Sequence, residues 1–150
     1  MMEKRNGGIA VDVRITIRQL GKKRAAMQAV PCTLPAVPRT LRQLITLMAR
    51  AGAQGYNARL EAGENRIRPL TEGQLTNMEA VGKMAFGVVY GEKRADPDKA
   101  ARDAMTAFGD GLFRVFRNAE ELTDPDAPLT LAPEDEITLI RLTMLAGSIW

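Results

Sequence analysis

Near the start of the chain, Val11, Val13, Ile15 and Ile17 alternate with Asp12, Arg14, Thr16 and Arg18. A period of two puts the apolar set on one face and the polar set on the other, which predicts a strand with one wet face. Leu20-Gly21-Lys22-Lys23 supplies a turn, and residues 25–34 resume an extended pattern. Pro31 has no N–H to donate to a ladder, so this strand is confined to a sheet edge, or the proline to its last residues. The two segments predict an N-terminal β-hairpin.

The next pattern is helical. Pro35 and Pro38 bound a stiff connector, and Thr40 can cap a helix or sit in its first turn. Leu41, Leu44, Ile45 and Met48 follow at helical spacing, with Gly52 as the expected stop. Residues 53–73 are Gly-rich and polar, which predicts loop with short extended pieces near 56–60 and 66–70, turning at Ala62-Gly63-Glu64. Thr76-x-x-Glu79 fits a capping box, and Thr71-x-x-Gln74 would start the same helix a turn earlier. Leu75, Met78, Gly82, Ala85 and Val89 then share one face.

Asp96-Pro97 reads as N-cap plus first-turn proline of a further helix. Asp98 with Arg102, and Lys99 with Asp103, are i,i+4 pairs for its outer surface. Ala101, Ala104, Met105 and Phe108 make a narrow inner face, and Gly109-Asp110-Gly111 ends the helix. A strand over 112–117 then meets a turn at Asn118-Ala119, with a short return at Leu122-Thr123. Pro133-Glu134-Asp135 turns into a closing strand marked by Ile137, Leu139 and Leu142. Ile140 falls on the opposite face of that strand, as in a strand covered on both sides.

Four short motifs in this last part carry a resemblance. They are Asn118-Ala119-Glu120 after a strand, Pro128-Leu129, Glu134-Asp135-Glu136-Ile137 leading into the last strand, and Ala146-Gly147 beyond it. In this order they resemble the C-terminal half of the sulfur-carrier proteins of molybdopterin and thiamine synthesis, small β-grasp domains related to ubiquitin. The resemblance implies an α+β, β-grasp (ubiquitin-like) mixed sheet with one packed helix. The expected single domain has its core in 9–52 and 112–147, with a helical insertion over 53–111. It also implies a bacterial-type ubiquitin-like module that works through protein contacts, over its exposed sheet face and its apolar tail. The alternative it implies is a precursor activated at Gly147, and that requires removal of Ser148, Ile149 and Trp150. The residues expected in a partner-contact or conjugation tail are Leu145, Ala146, Gly147, Ile149 and Trp150.

Composition narrows the chemistry. The 150 residues suit one domain with an ordinary soluble balance, 45% hydrophobic and 26% charged. Histidine is absent, which excludes His triads, His general bases and His metal ligands. The single cysteine, Cys32, has no histidine to activate it, so a small buried hydrophobe is expected. Neither phosphate-loop pattern, G-x-x-x-x-G-K-[ST] nor G-x-G-x-x-G, occurs.

Carboxylates cluster at Glu134, Asp135 and Glu136, and at Asp124 and Asp126. Such groups can do acid/base work or hold Mg²⁺, but adjacent residues in turns point different ways, so solvated loops are expected. No catalytic residue, cofactor or metal is therefore expected.

Charge is distributed unevenly. Residues 1–68 carry a net charge of +9 and residues 69–150 a net charge of −6. Either the basic half binds phosphate or an acidic partner, or the halves complement each other. Lys22, Lys23 and Arg24 at the hairpin tip are the one hint of nucleic-acid contact, and no aromatic is interleaved among them for base stacking. No apolar run approaches membrane-spanning length, and a cytoplasmic setting is expected. A protein partner is expected, and self-association is left open.

Overall fold

The computed structural model describes residues 11–20, 27–61, 81, 86 and 94–142. Seven elements lie among them, β1 (Val11–Leu20), β2 (Met27–Leu34), α1 (Leu41–Glu61), α2 (Pro97–Gly109), β3 (Phe113–Arg117), β4 (Glu120–Leu122) and β5 (Glu136–Leu142). The class is α+β, with helices over one face of a five-stranded mixed sheet.

The sheet order is β2-β1-β5-β3-β4. β1 pairs antiparallel with β2 and parallel with β5, so two strands far apart in sequence lie side by side in the middle. β3 pairs antiparallel with both β5 and β4. Register is set by the alternation seen in the sequence. Ile15 and Ile17 stand opposite Ile137 and Leu139, and all four point to the helices and are fully buried. A one-residue slip would turn all of them to solvent, so one buried face specifies the pairing strongly. Pro31 does sit on an edge strand, opposite Arg14.

α1 begins where the sequence places it. The Thr40 hydroxyl accepts from the Gln43 amide at 3.1 Å, and the Gln43 side chain accepts from the Arg39 amide at 2.7 Å. The loop after β4 satisfies a further amide, since Arg42 N–H donates to the Pro125 carbonyl at 2.8 Å. Leu129 N–H donates to the Arg39 carbonyl at 2.8 Å, so the loop is stitched to the helix on both sides of its cap.

The helix does not stop at Gly52. It runs on to Glu61, which corrects both the expected stop and the extended piece near 56–60. The reason is tertiary. Gly52, Ala53, Tyr56 and Asn57 continue the buried face, and Tyr56 is 1% exposed. Burying one such ring outweighs the roughly 1 kcal/mol that a mid-helix glycine costs.

α2 follows its sequence signals closely. The Asp96 carboxylate accepts from the Asp98 amide at 3.0 Å, with Pro97 in the first turn. At the other end Gly111 takes φ +78°. Its N–H donates to Phe108 O and that of Leu112 to Ala107 O, both at 3.0 Å, the two bonds of a Schellman stop. Ala100, Ala101, Ala104 and Ala107 form the buried stripe, while Met105 and Phe108 are half-buried. A stripe of alanines lets α2 lie close along α1. Lys99 pairs with Asp103 as the spacing predicts, at 2.8 Å. Asp98 instead pairs with Arg50 of α1.

One core joins both helices to the sheet. Leu44, Ile45 and Met48 of α1 meet Ile15, Leu34, Val115, Ile137 and Leu139, all fully buried. Each such side chain contributes about 1.5–3 kcal/mol of transfer free energy. Phe113 is the centre of an aromatic cluster, with Phe86 at 4.9 Å and Phe108 at 5.7 Å between ring centroids, both tilted. Of the expected helix whose face runs from Leu75 to Val89, Val81 and Phe86 are described; Val81 is helical and both are buried. Its capping box, the turn at 62–64 and the extended piece near 66–70 lie outside the described residues.

Candidate protein-contact face

The sheet has an inner face against the helices and an outer face. Strand alternation puts Arg14, Thr16 and Arg18 of β1 on the outer face. Glu136, Thr138 and Ile140 of β5 join them, as do Arg114 and Phe116 of β3. Cross-strand pairing arranges them in rows. Arg14 stands opposite Glu136. Thr16, Thr138, Phe116 and Glu121 form the next row. Arg18, Ile140 and Arg114 form the third.

Ile140 and Phe116 are half-buried there, and the arginines are exposed. Two acids on this face are hydrogen-bonded and a third approaches an arginine. The Thr16 hydroxyl donates to Glu136 at 2.9 Å, the Thr33 hydroxyl donates to Asp12 at 2.7 Å, and Glu121 lies 3.9 Å from Arg114. The side chains of Arg14 and Arg18 make no ion pair or hydrogen bond among the described residues.

The residues singled out by the sequence fare differently. Leu145, Ala146, Gly147, Ile149 and Trp150 lie outside the described residues, as do Lys22, Lys23 and Arg24. Cys32 is 1% exposed, and burial pushes its thiol pKa up to about 11, so it is a packed hydrophobe rather than a nucleophile.

The acidic cluster is dispersed. Asp135 accepts from the Ala132 amide at 2.9 Å and the Asn118 carboxamide at 3.0 Å, and these two bonds hold its carboxyl below the usual range. Glu136 turns to Thr16, and Glu134 is exposed. Asp124 accepts from the Asp126 amide at 2.9 Å, while Asp126 grips Arg42 at 2.8 and 3.1 Å. The Arg42 guanidinium holds the Asp126 carboxyl low, chiefly through these hydrogen bonds. These carboxylates serve turns and ion pairs, and among the described residues no three Asp, Glu or Cys converge as a metal site would require.

Two features were missed by sequence reasoning. One is the row through Arg18, Ile140 and Arg114, whose members are remote in sequence and meet only through strand register. The other is the link between the two turns. Asn118 adopts φ +54°, and its side chain reaches both Asp135 and the Glu136 amide. The Asn-Ala turn and the Glu-Asp-Glu turn, noted separately in the sequence, are in contact.

An open groove of about 540 Å³ lies between the end of α2 and the β3–β4 hairpin. Met105, Phe108, Phe113 and Leu122 line it with Arg42 and Arg114, and Glu121 is its one carboxylate among the described residues. No described helix is long and apolar enough to cross a membrane. Compared with protein-family models, with curated proteins and with solved structures, the chain has no match in any of the three.

Proposed function

We propose that the chain is a β-grasp, ubiquitin-like module that works by contact with another protein and carries no catalytic centre of its own. The observation that carries the reading is the strand order β2-β1-β5-β3-β4, with the first and last strands parallel in the middle and a helix after the first hairpin lying over the sheet. The contact between the Asn118 and Asp135 turns supports it further, because two of the four resembling motifs become one structural unit. The outer sheet face supports the contact role, with half-buried Ile140 and Phe116 among exposed arginines. Cross-linking of the chain in cells of its native host, followed by mapping of the linked residues, tests the reading. Cross-links to a protein on the outer sheet face are the expected result. A specific substrate turned over by the purified chain, or cross-links confined to α2, would overturn it.

A second reading rests on β5, a central strand whose last described residue is Leu142, five residues before Gly147. In this reading the chain is a sulfur-carrier or modifier precursor whose Gly147 is exposed when Ser148, Ile149 and Trp150 are removed. Intact mass of the native protein separates the two, since the precursor loses those three residues.

A further inference from the structure

The outer face is not uniformly charged. Its carboxylates sit toward the start of β1 and β5, at Asp12 and Glu136, and at the β4 edge, at Glu121. Asp12 and Glu136 each accept a threonine hydroxyl, and Glu121 makes a long 3.9 Å approach to Arg114. The row through Ile140 differs. Arg18 and Arg114 stand on either side of it, directly opposite in register. Neighbouring strands lie about 4.8 Å apart, so the two arginine Cα atoms are roughly 10 Å apart with one apolar side chain between them. Arg18 has no anionic partner among the described residues, and Arg114 has only the long 3.9 Å approach of Glu121.

A guanidinium left in solvent beside apolar surface keeps its charge and its planar donor fork for an incoming carboxylate. Desolvating Ile140 under an apolar partner group would strengthen both ion pairs by excluding water. A polyanion is a poorer fit, because Asp12, Glu121 and Glu136 on the same face would repel a phosphate backbone.

We propose that Arg18, Ile140 and Arg114 form a receptor row for an acidic protein segment in which an apolar side chain stands between two carboxylates. The assignment rests on the protein-contact reading above and names the partner chemistry of that face. Attraction of this kind speeds association and fixes register, and it weakens as salt is raised.

Fluorescence anisotropy with the full chain tests it. The probes are a short labelled peptide with leucine between glutamates, the same peptide with lysines for glutamates, and one with alanine for leucine. The glutamate–leucine peptide is expected to bind best, with affinity falling as salt rises. Arg18→Glu and Arg114→Glu should each weaken it about tenfold, and the double reversal should confer binding to the lysine peptide. Ile140→Ala should remove the preference for leucine over alanine. Unchanged circular dichroism and unfolding midpoints establish that the arginine variants fold.

The proposal is overturned if the wild-type chain binds no peptide, or binds the lysine form as well as the glutamate form. Tighter binding of a single-stranded oligonucleotide, or self-association in sedimentation that Arg18→Glu abolishes, would also overturn it. Cellular cross-links on the outer face that survive both charge reversals would sink this row while leaving the module reading intact.

Discussion

The Asn118 carboxamide donates to the Asp135 carboxylate at 3.0 Å and accepts from the Glu136 amide at 3.1 Å, so one side chain ties the turn after β3 to the start of β5. The Asn118 backbone closes the same link, its N–H donating to Glu136 O at 2.8 Å. Left-handed backbone suits asparagine better than most residues. Asn118→Ala loses both side-chain bonds and adds the left-handed penalty of about 1–2 kcal/mol. Asn118→Gly loses the bonds alone. Urea unfolding should therefore rank wild type above Asn118→Gly above Asn118→Ala.

Acid should act through the same link. The Asp135 carboxyl is held low by the Ala132 amide first and by Asn118 second. A carboxyl with a depressed folded value contributes stability that is present above its unfolded value, about 3.9, and lost as pH falls through the folded value. Asp126, held low by Arg42, has the same sign. Thermal midpoints measured from neutral to strongly acidic pH should fall below about pH 4, and less steeply in Asp135→Asn. Identical slopes in the two proteins would contradict the assignment.

Asn57 provides a second clamp, buried to 5% exposure. Its Oδ1 accepts from the Ala95 amide at 2.7 Å and its Nδ2 donates to the Ala95 carbonyl at 2.9 Å, as a neighbouring strand would. This fixes the residue that precedes the α2 cap. Asn57→Ala strands both backbone groups and should cost about 2–4 kcal/mol in chemical unfolding. Asn57→Asp keeps the acceptor, loses the donor and introduces a buried charge, so it should be at least as harmful.

Two glycines around the end of α2 should respond with opposite sign. A Cβ at Gly109 or at Gly111 would meet nothing within 4 Å, so space decides neither case. Gly109 is helical, and Gly109→Ala should stabilise by up to about 1 kcal/mol. Gly111 sits at φ +78°, and Gly111→Ala should destabilise by about 1 kcal/mol. Differential scanning of the two variants against wild type reads the contrast directly.

Cys32 should be silent towards thiol reagents in the folded protein. Its thiol is buried and its pKa is pushed up to about 11, so almost no thiolate exists at pH 8. Labelling by an aromatic disulfide should proceed at the rate of unfolding and rise with urea. The associated stability is fully present below the ordinary thiol value of about 8.5 and is lost as pH rises towards 11.

The sequence was most legible where a local pattern and a burial pattern coincide. Alternation placed Val13, Ile15 and Ile17, the Asp96-Pro97 signal started α2, and Gly111 ended it. It misled at Gly52, where propensity argued for a stop and the burial of Tyr56 carried the helix on. Ion pairing was half legible. Lys99 with Asp103 follows from spacing along one helix, whereas Asp98 turns to Arg50, and only the contact between helices brings that partner within reach. The charge imbalance resolved partly into bonds across the halves, with Arg42 on Asp126 and Arg50 on Asp98. The outer row was illegible because Arg18, Arg114 and Ile140 share no sequence window, and register alone assembles them.

The parallel seam between β1 and β5 bears on how the chain is made as well as on its shape. The Thr16 to Glu136 bond spans 120 residues of sequence. Ends so distant meet at an entropic cost that local hairpins and helices escape, and ordering slows accordingly. During synthesis the first hairpin and α1 leave the ribosome with Ile15 and Ile17 still lacking their neighbours on β5. That apolar edge stays open until residue 142 has emerged, so a stalled or truncated nascent chain is the form most exposed to aggregation and to capture by chaperones.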